Sequence, residues 1–393
     1  MAKTPPTNRR VLFVTTVFDE VQTGPGLYAH DLWRAFRDDP EVEFHVVAPR
    51  GACRQAGLAE PHPRLHAVDP ADRSGRLYHR VARKARKLAA AFAPAPIVHG
   101  NAAHAMAGFV GYAGPWLAQV NDYEVATLWR HALGTLWRHG PARVASLAWR
   151  RRRERRVVRS ATRVICNSDF TRRAVLSAYG PAESNVLTIH KAVDVSAFAP
   201  PADLPPDPLP DRARYGRLAF VGANWQIKGL DVLLKALARL WRLPGPVTLA
   251  VAGQDPSPTG ARMRRLCRKL GLQRHVFFLG RLDRRQLAAL LWHSDVFVLP
   301  SRQEAFGVSA LEALAAGVPV VASNVGGLGE ILRDGREAVL CPPGDPMALA
   351  EALVRVLVHP GFRRRLIQAG LKRADPFDLP HMIRAVRELY LSI

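Results

Sequence analysis

Two glutamates eight residues apart, Glu304 and Glu312, stand in "SRQEAFGVSALEALAAGVPVV" (residues 301–321), where an apolar strand pattern gives way to a polar loop and then to a helix pattern. A carboxylate accepts hydrogen bonds from paired hydroxyls, so a sugar ring is a natural partner for each. On one helix, acids at this spacing would diverge by about 80°. With Glu304 in the loop and Glu312 one turn into a helix that starts near Val308, both can face one ligand. The backbone N–H groups of Phe306, Gly307 and Val308 would then mark a helix start, where phosphate is favoured. The plainer alternative is that Glu312 meets only water and Glu304 only favours the helix macrodipole.

Two other stretches repeat the strand, turn and helix design. "LAFVGANWQIKGLDVLLKAL" (218–237) closes a strand at Gly222, continues through Asn224, and sets Lys228 just before a helix. An ammonium group there can meet a diphosphate as a point charge. "FDEVQTGPGLYAHDL" opens the first helix at Gly24 and Gly26, which lets backbone approach an anion closely. A solvated lysine and an ordinary glycine turn are the alternatives here.

Positioning such turns requires parallel strands, and the pattern supplies them. Short apolar, β-branched runs fall at 11–18, 44–48, 97–100, 117–121, 163–167 and 186–190, then at 218–222, 247–253, 276–280, 296–300, 318–323 and 338–341. Helix-period segments separate them, so the fold class is α/β with doubly wound, Rossmann-like sheets. A chain of 393 residues is long for one core. The Pro- and acid-rich stretch 200–216 divides it into a first domain at 1–199 and a second at 217–378. A last helix pattern at 379–393 could cross back onto the first domain.

Four scattered cysteines without a C-x-x-C pair argue against a zinc knuckle and a disulfide framework, and suggest a reducing cytoplasm. The N-terminal apolar run lacks a cleavage-site pattern, and no run reaches about 18 apolar residues, so neither a signal peptide nor a transmembrane helix is expected.

Together these residues resemble the family-4 retaining glycosyltransferases of the GT-B fold, including those of lipopolysaccharide-core and polysaccharide synthesis. "PSRQEAFGVSALEALAAGVPVVAS" is similar to the family's E-x7-E signature, "FVGANWQIKG" to its phosphate-binding turn, and "ATRVICNSDFTRRAVLSAYG" with "VLTIHKAVDVSAFAP" to the end of its first domain. The resemblance implies two Rossmann-like domains facing across a cleft, with the second binding a nucleotide-sugar donor. It gives Glu312 to the ribose hydroxyls, Glu304 to the transferred sugar and Lys228 to the diphosphate, beside the backbone of Phe306 and Gly307. Catalytic roles would fall to Glu304, Lys228 and Asn121, and donor binding to Gly24, Gly26, Gly222, Asn224, Lys228, Glu304, Phe306, Gly307, Val308 and Glu312. No metal and no other cofactor is implied; Asp122 and Glu124 come nearest to a D-x-D and read as loop acids. Two positions depart from the family: Ala223 replaces an Arg, for which Arg281 is one substitute, and Asn121 replaces a His. Asn can hydrogen-bond a sugar hydroxyl but cannot take a proton at neutral pH.

The function this implies is metal-independent, retaining transfer of a hexosyl unit to a saccharide or lipid-linked acceptor in cell-envelope glycan synthesis. A net charge of +23 raises a nucleic-acid-binding alternative, but no RNA-recognition, KH or zinc signature accompanies it. A nucleotide-sugar epimerase or phosphorylase on the same architecture is the other alternative. Charge does cluster at 127–160, where Trp129, Trp137 and Trp149 interleave with arginines. That composition suits either an anionic membrane surface or tryptophans packed inward beneath solvated arginines; with the cysteine reading, the protein is expected in the cytoplasm or peripherally on the inner face of the cytoplasmic membrane.

Overall fold

The computed structural model describes residues 8–18, 24–50, 62–69, 77–122, 132–209, 215–240 and 243–393. The chain divides into two compact units, Met1–Lys191 with Met382–Ile393, and Ala192–His381.

The first unit holds a seven-stranded parallel sheet. Its strands are β1 (Arg9–Val14), β2 (Val42–Pro49), β3 (Leu65–Val68), β4 (Ile97–Gly100), β5 (Trp116–Val120), β6 (Arg163–Cys166) and β7 (Val186–Thr188). Their order is β3-β2-β1-β4-β5-β6-β7, so the direction of winding reverses between β1 and β4. Val11, Leu12 and Phe13 are fully buried, as befits a parallel strand covered on both faces. Removing each such large side chain from water stabilises by about 1.5–3 kcal/mol. β3 is absent from the candidate strands because it is a short edge strand, half-buried throughout and carrying a histidine in its middle. Its register is held by His66, whose ring stacks on His45 of β2.

The second unit holds six parallel strands: β8 (Gly216–Val221), β9 (Val247–Ala252), β10 (Val276–Gly280), β11 (Val296–Leu299), β12 (Val320–Ser323) and β13 (Ala338–Cys341). Their order, β10-β9-β8-β11-β12-β13, reverses between β8 and β11. One apolar cluster, with Leu218, Leu233 and Leu353, covers one face; another, with Ala219, Leu311 and Leu314, covers the other. Helix starts are fixed locally, for example by the capping box of Asp283 and Gln286 and by Asp345, which accepts from the amides of Met347 and Ala348.

The boundary between the units falls between Lys191 and Ala192, ahead of the Pro-rich stretch. That stretch is tied to the second unit rather than free. His293 Nε2 contacts Pro205 O at 2.8 Å, Arg217 pairs with Asp207 at 2.5 Å, and Leu209 is buried against Ala250 and Leu290, while just ahead of the stretch Trp292 Nε1 donates to Phe198 O at 2.7 Å. Residues 210–214 of the stretch lie outside the described residues. Helix Leu379–Ser392 packs on the first unit: Tyr390 O–H bonds His99 Nδ1 at 2.7 Å, and Arg387 pairs with Asp39 and Glu41.

Candidate active site

In open parallel sheets, ligands bind outside the carboxyl ends of the strands at the point where winding reverses. In the second unit the two turns at that point are those after β8 and β11, and they carry Lys228 and Glu304. Lys228 Nζ donates to Glu304 Oε2 at 2.5 Å, and Ser301 Oγ donates to the same oxygen at 3.4 Å. The lysine side chain is 24% exposed and the glutamate 10%, so the pair is sheltered yet reachable from solvent.

Close backbone contact between the two turns sets this pair. Gly229 has φ +74°, and a Cβ there would lie 1.9 Å from Pro300 O, so only glycine lets the turn after β8 approach the end of β11. Arg302 N donates to Ile227 O at 2.8 Å across the same seam. Trp225 is buried beneath the turn, its Nε1 donating to Gly222 O at 3.0 Å and its amide to Asp255 at 3.1 Å. Gly222 borders the Lys228 stem, and Asn224 takes φ 53°, a conformation Asn tolerates better than most residues.

Glu304 is fixed from the other side as well. Its carbonyl accepts from Gly327 N at 3.0 Å. Gly307, φ +108°, forms the N-cap of helix Val308–Ala315, and a Cβ there would meet Leu328 Cδ2 at 2.4 Å. Phe306 turns its side chain into the core, its ring 5.6 Å from that of Phe377. Val308 is half-buried in the first turn. Glu312 is buried one turn further on; burial pushes its carboxyl up to about 7, against the opposing charge of Arg284.

The sequence reading missed one ion pair that matters here. Arg302 donates to both Asp231 oxygens, at 2.7 and 2.8 Å, and to Gln226 O at 2.7 Å. One guanidinium therefore bolts the loop of Glu304 to the turn of Lys228. Burial alone would raise the Asp231 carboxyl, but Arg302 holds it below the usual range. The signal was an acid, Asp231, in the first turn of helix Leu230–Leu237 and an arginine in the loop after β11.

Gly24, Gly26 and Asn121 belong to the first unit, where a chain of amide hydrogen bonds runs through Asn121 to Pro25. Asn167 Nδ2 donates to Asn121 O at 2.9 Å, Asn121 Nδ2 to Asn101 O at 2.5 Å, and Asn101 Nδ2 to Pro25 O at 2.9 Å and Thr15 Oγ1 at 3.0 Å. Pro25 lies between the two glycines. Asn101, Asn121 and Asn167 each follow a strand end, of β4, β5 and β6, and their Oδ1 atoms are buried without a hydrogen-bond partner among the described residues. Ala223 is exposed in the Lys228 turn, and Arg281 follows β10, two strands from β8. Asp122 is exposed after β5, and Glu124, Trp129 and residues 127–131 lie outside the described residues.

Residues 23–197 match the model of Glycosyltransferase Family 4, and residues 212–373 that of Glycosyl transferases group 1. The chain is 34% identical over 241 residues to glycogen synthase of Mycobacterium tuberculosis (strain CDC 1551 / Oshkosh), across 60% of this chain and 55% of that relative. It thus spans about half the length of the curated relatives it matches. Sucrose-phosphate synthase from Thermosynechococcus elongatus superposes with a TM-score of 0.81 at 22% identity, covering 98% of each chain. Anabaena Alr3699/HepE, solved in complex with UDP-glucose, superposes with a TM-score of 0.75 at 17% identity over 98% of this chain and 100% of that one.

Proposed function

The chain belongs to the glycosyltransferases that join a family 4 domain to a group 1 domain in the GT-B fold, and from that premise we propose that it transfers a hexosyl unit from a nucleotide-sugar donor, without a metal and with retention, to a saccharide or lipid-linked acceptor of cell-envelope glycan synthesis. The observation that carries this reading is the Lys228–Glu304 pair at the winding reversal of the second unit.

In the proposed reaction the bond from the anomeric carbon to the diphosphate oxygen breaks, and the electron pair leaves with the nucleoside diphosphate. The acceptor hydroxyl oxygen bonds to that carbon from the same face, and its proton passes to a leaving phosphate oxygen. Charge grows on the diphosphate as the bond lengthens, so a cation fixed beforehand stabilises the transition state more than the ground state. Lys228 supplies that cation, and its partner Glu304 keeps it from turning to solvent. The outer edge of Glu304 accepts from hydroxyls of the transferred sugar. Glu312 accepts from the ribose pair, which replaces the water its carboxylate lost on burial. Asn121, as an amide, would contribute a neutral hydrogen bond to a hydroxyl rather than a proton transfer.

A donor such as the UDP-glucose held by the HepE structure fits this reading, and a glucan acceptor like that implied by the glycogen synthase name is one candidate. Peripheral contact with anionic lipid belongs to the same proposal. On helix Ala132–Ser160, Trp149 is 57% exposed with the Arg153 guanidinium 4.4 Å from its ring, and Arg152, Arg155, Arg156 and Arg159 are exposed. No helix among the described residues is long and apolar enough to cross a membrane.

A thermal-shift screen against UDP-, GDP- and ADP-sugars tests the donor assignment. A donor at 100 times its dissociation constant stabilises by about 2.7 kcal/mol. Absence of any shift at millimolar concentration would sink it.

A further inference from the structure

Beside the edge strand β13 of the six-stranded sheet lies a cavity of about 410 Å³ that the transfer reaction does not use. Its walls come from residues just before β13 and from helix Pro360–Ala374. Since β13 runs parallel to its neighbours, a segment leading into it sits at the amino ends of the strands, away from the turns of Lys228 and Glu304.

Five cations, Arg333, Arg336, Arg365, Lys372 and Arg373, face this cavity against one carboxylate, Glu337. The carboxylate is only 2% exposed and works as an anchor. It accepts from Arg333 Nε at 3.1 Å and Nη2 at 2.5 Å, from the Arg333 amide at 3.1 Å, and pairs with Arg336 Nε at 3.3 Å. Arg373 is anchored separately, donating through Nε to Ile331 O at 3.3 Å and through Nη2 to Glu330 O, with its guanidinium 5.1 Å from the Phe377 ring. Two guanidiniums, those of Arg333 and Arg373, are thus held by bonds that leave other N–H groups of each, and that of Arg336 is paired but 65% exposed. Burial, and then the nearby charge of Arg333, push Arg373 down from its ordinary value, with Glu337 opposing and Arg336 adding to the shift.

We infer that this cavity is a binding site for a free, multiply charged phosphate compound, distinct from the donor site. Fixed guanidiniums suit phosphate oxygens by bidentate geometry, and the volume suits a small phosphorylated molecule. The pocket wall offers Gln368 and Pro376 but no aromatic platform for a base, so a pyrophosphate or sugar phosphate fits better than a nucleotide. A second basic groove of about 300 Å³, with Lys235, Arg262, Arg265 and Lys269, serves as an internal control: its one acid, Asp231, is already held by Arg302.

The test is calorimetric titration of inorganic pyrophosphate into the full chain carrying Lys228→Ala, which removes the cation of the donor site, at fixed ionic strength. One saturable site with a dissociation constant below about 1 mM is expected. Arg336→Ser with Lys372→Ser, both at exposed positions, should weaken it by about tenfold or more, as loss of charge-assisted hydrogen bonds does. Arg262→Ser with Lys269→Ser should change it by less than about twofold, because those side chains line another groove and none of them lines this cavity. Equal loss in both double variants would mean a diffuse basic surface and overturn the site, as would no saturable heat at 10-fold higher concentration. Binding only to vesicles of anionic lipid, with none to pyrophosphate, would overturn the assignment to a free anion.

Discussion

Both units reverse their winding beside the first strand of the sheet, and both place a side-chain hydrogen bond across that reversal, yet the two bonds differ in kind. In the second unit the crossing is ionic, Lys228 to Glu304 at 2.5 Å between the turns after β8 and β11. In the first it is neutral, Asn101 to Thr15 at 3.0 Å between the segments after β1 and β4, and it extends through Asn121 to Asn167. The same topology supplies the position, and the residues chosen there decide the chemistry. A fixed cation can answer charge that grows during a reaction; a ladder of amides can orient hydroxyls but cannot neutralise a leaving diphosphate.

The sharpest way to break this contrast is to remove each crossing in turn. Lys228→Ala should lower kcat with the donor found in the thermal screen by about 1,000-fold, the upper range for losing one preorganised transition-state donor. Asn101→Ala should instead lower the apparent Tm, since Asn101 is buried and its amide serves two acceptors, while kcat stays within about threefold. Near-normal turnover in Lys228→Ala would refute the assignment of the ionic crossing to catalysis.

Glu312 sharpens the comparison through pH. Burial raises its folded carboxyl from 4.5 to about 7, so between those values the native protein holds a proton that the unfolded chain has released. Stability should therefore fall as pH rises across that window, by roughly 3 kcal/mol in all for a shift of this order. Ribose hydroxyls that donate to the charged form reverse part of this cost, so donor affinity should rise with pH between about 6 and 8. Glu312→Gln should flatten both dependences. A wild-type donor affinity independent of pH would separate Glu312 from the ligand.

Arg302 tests whether the ionic crossing depends on its frame. Arg302→Met should lower kcat about tenfold with KM changed less, because a misplaced cation loses transition-state contact more than ground-state binding. Arg302 is more than a third exposed, so the stability cost of losing its pair with Asp231 should stay near 1 kcal/mol. Arg302→Lys keeps the charge but cannot make the bidentate bond and the bond to Gln226 O together, so it should restore only part of the rate. Full activity in Arg302→Met would show that glycine packing alone holds the two turns.

How much of this was readable in advance follows the same division. Continuous apolar runs announced twelve of the thirteen strands among the described residues, because a strand buried on both faces leaves little choice of residue. β3 escaped, as an edge strand needs no such run. Glu304 and Lys228 were legible as charged residues in βα turns, but their contact was not, for it depends on Gly229 passing Pro300, a fact of three dimensions. The asparagines were harder still. Asn121 drew notice only by resemblance, and Asn101 and Asn167 gave no signal, since a neutral amide after a strand looks like any loop residue. The attachment of 199–209 to the second unit was hidden by its prolines, which forbid regular structure but not packing.

The smallest expected effect lies at the far end of the amide ladder. Asn167 touches Asn121 only by donating to its carbonyl at 2.9 Å, and Asn167 is itself buried. Asn167→Ala removes one neutral hydrogen bond and leaves that carbonyl short of a donor, which costs about 1 kcal/mol and shifts the apparent Tm by about 2–4 °C for a domain of this size. If the ladder is scaffold, kcat should stay within about twofold, because Asn121 keeps its own bond to Asn101 O. A fall of tenfold or more in kcat at unchanged Tm would mean that Asn167 orients a reacting group, and that the neutral crossing shares in catalysis with the charged one.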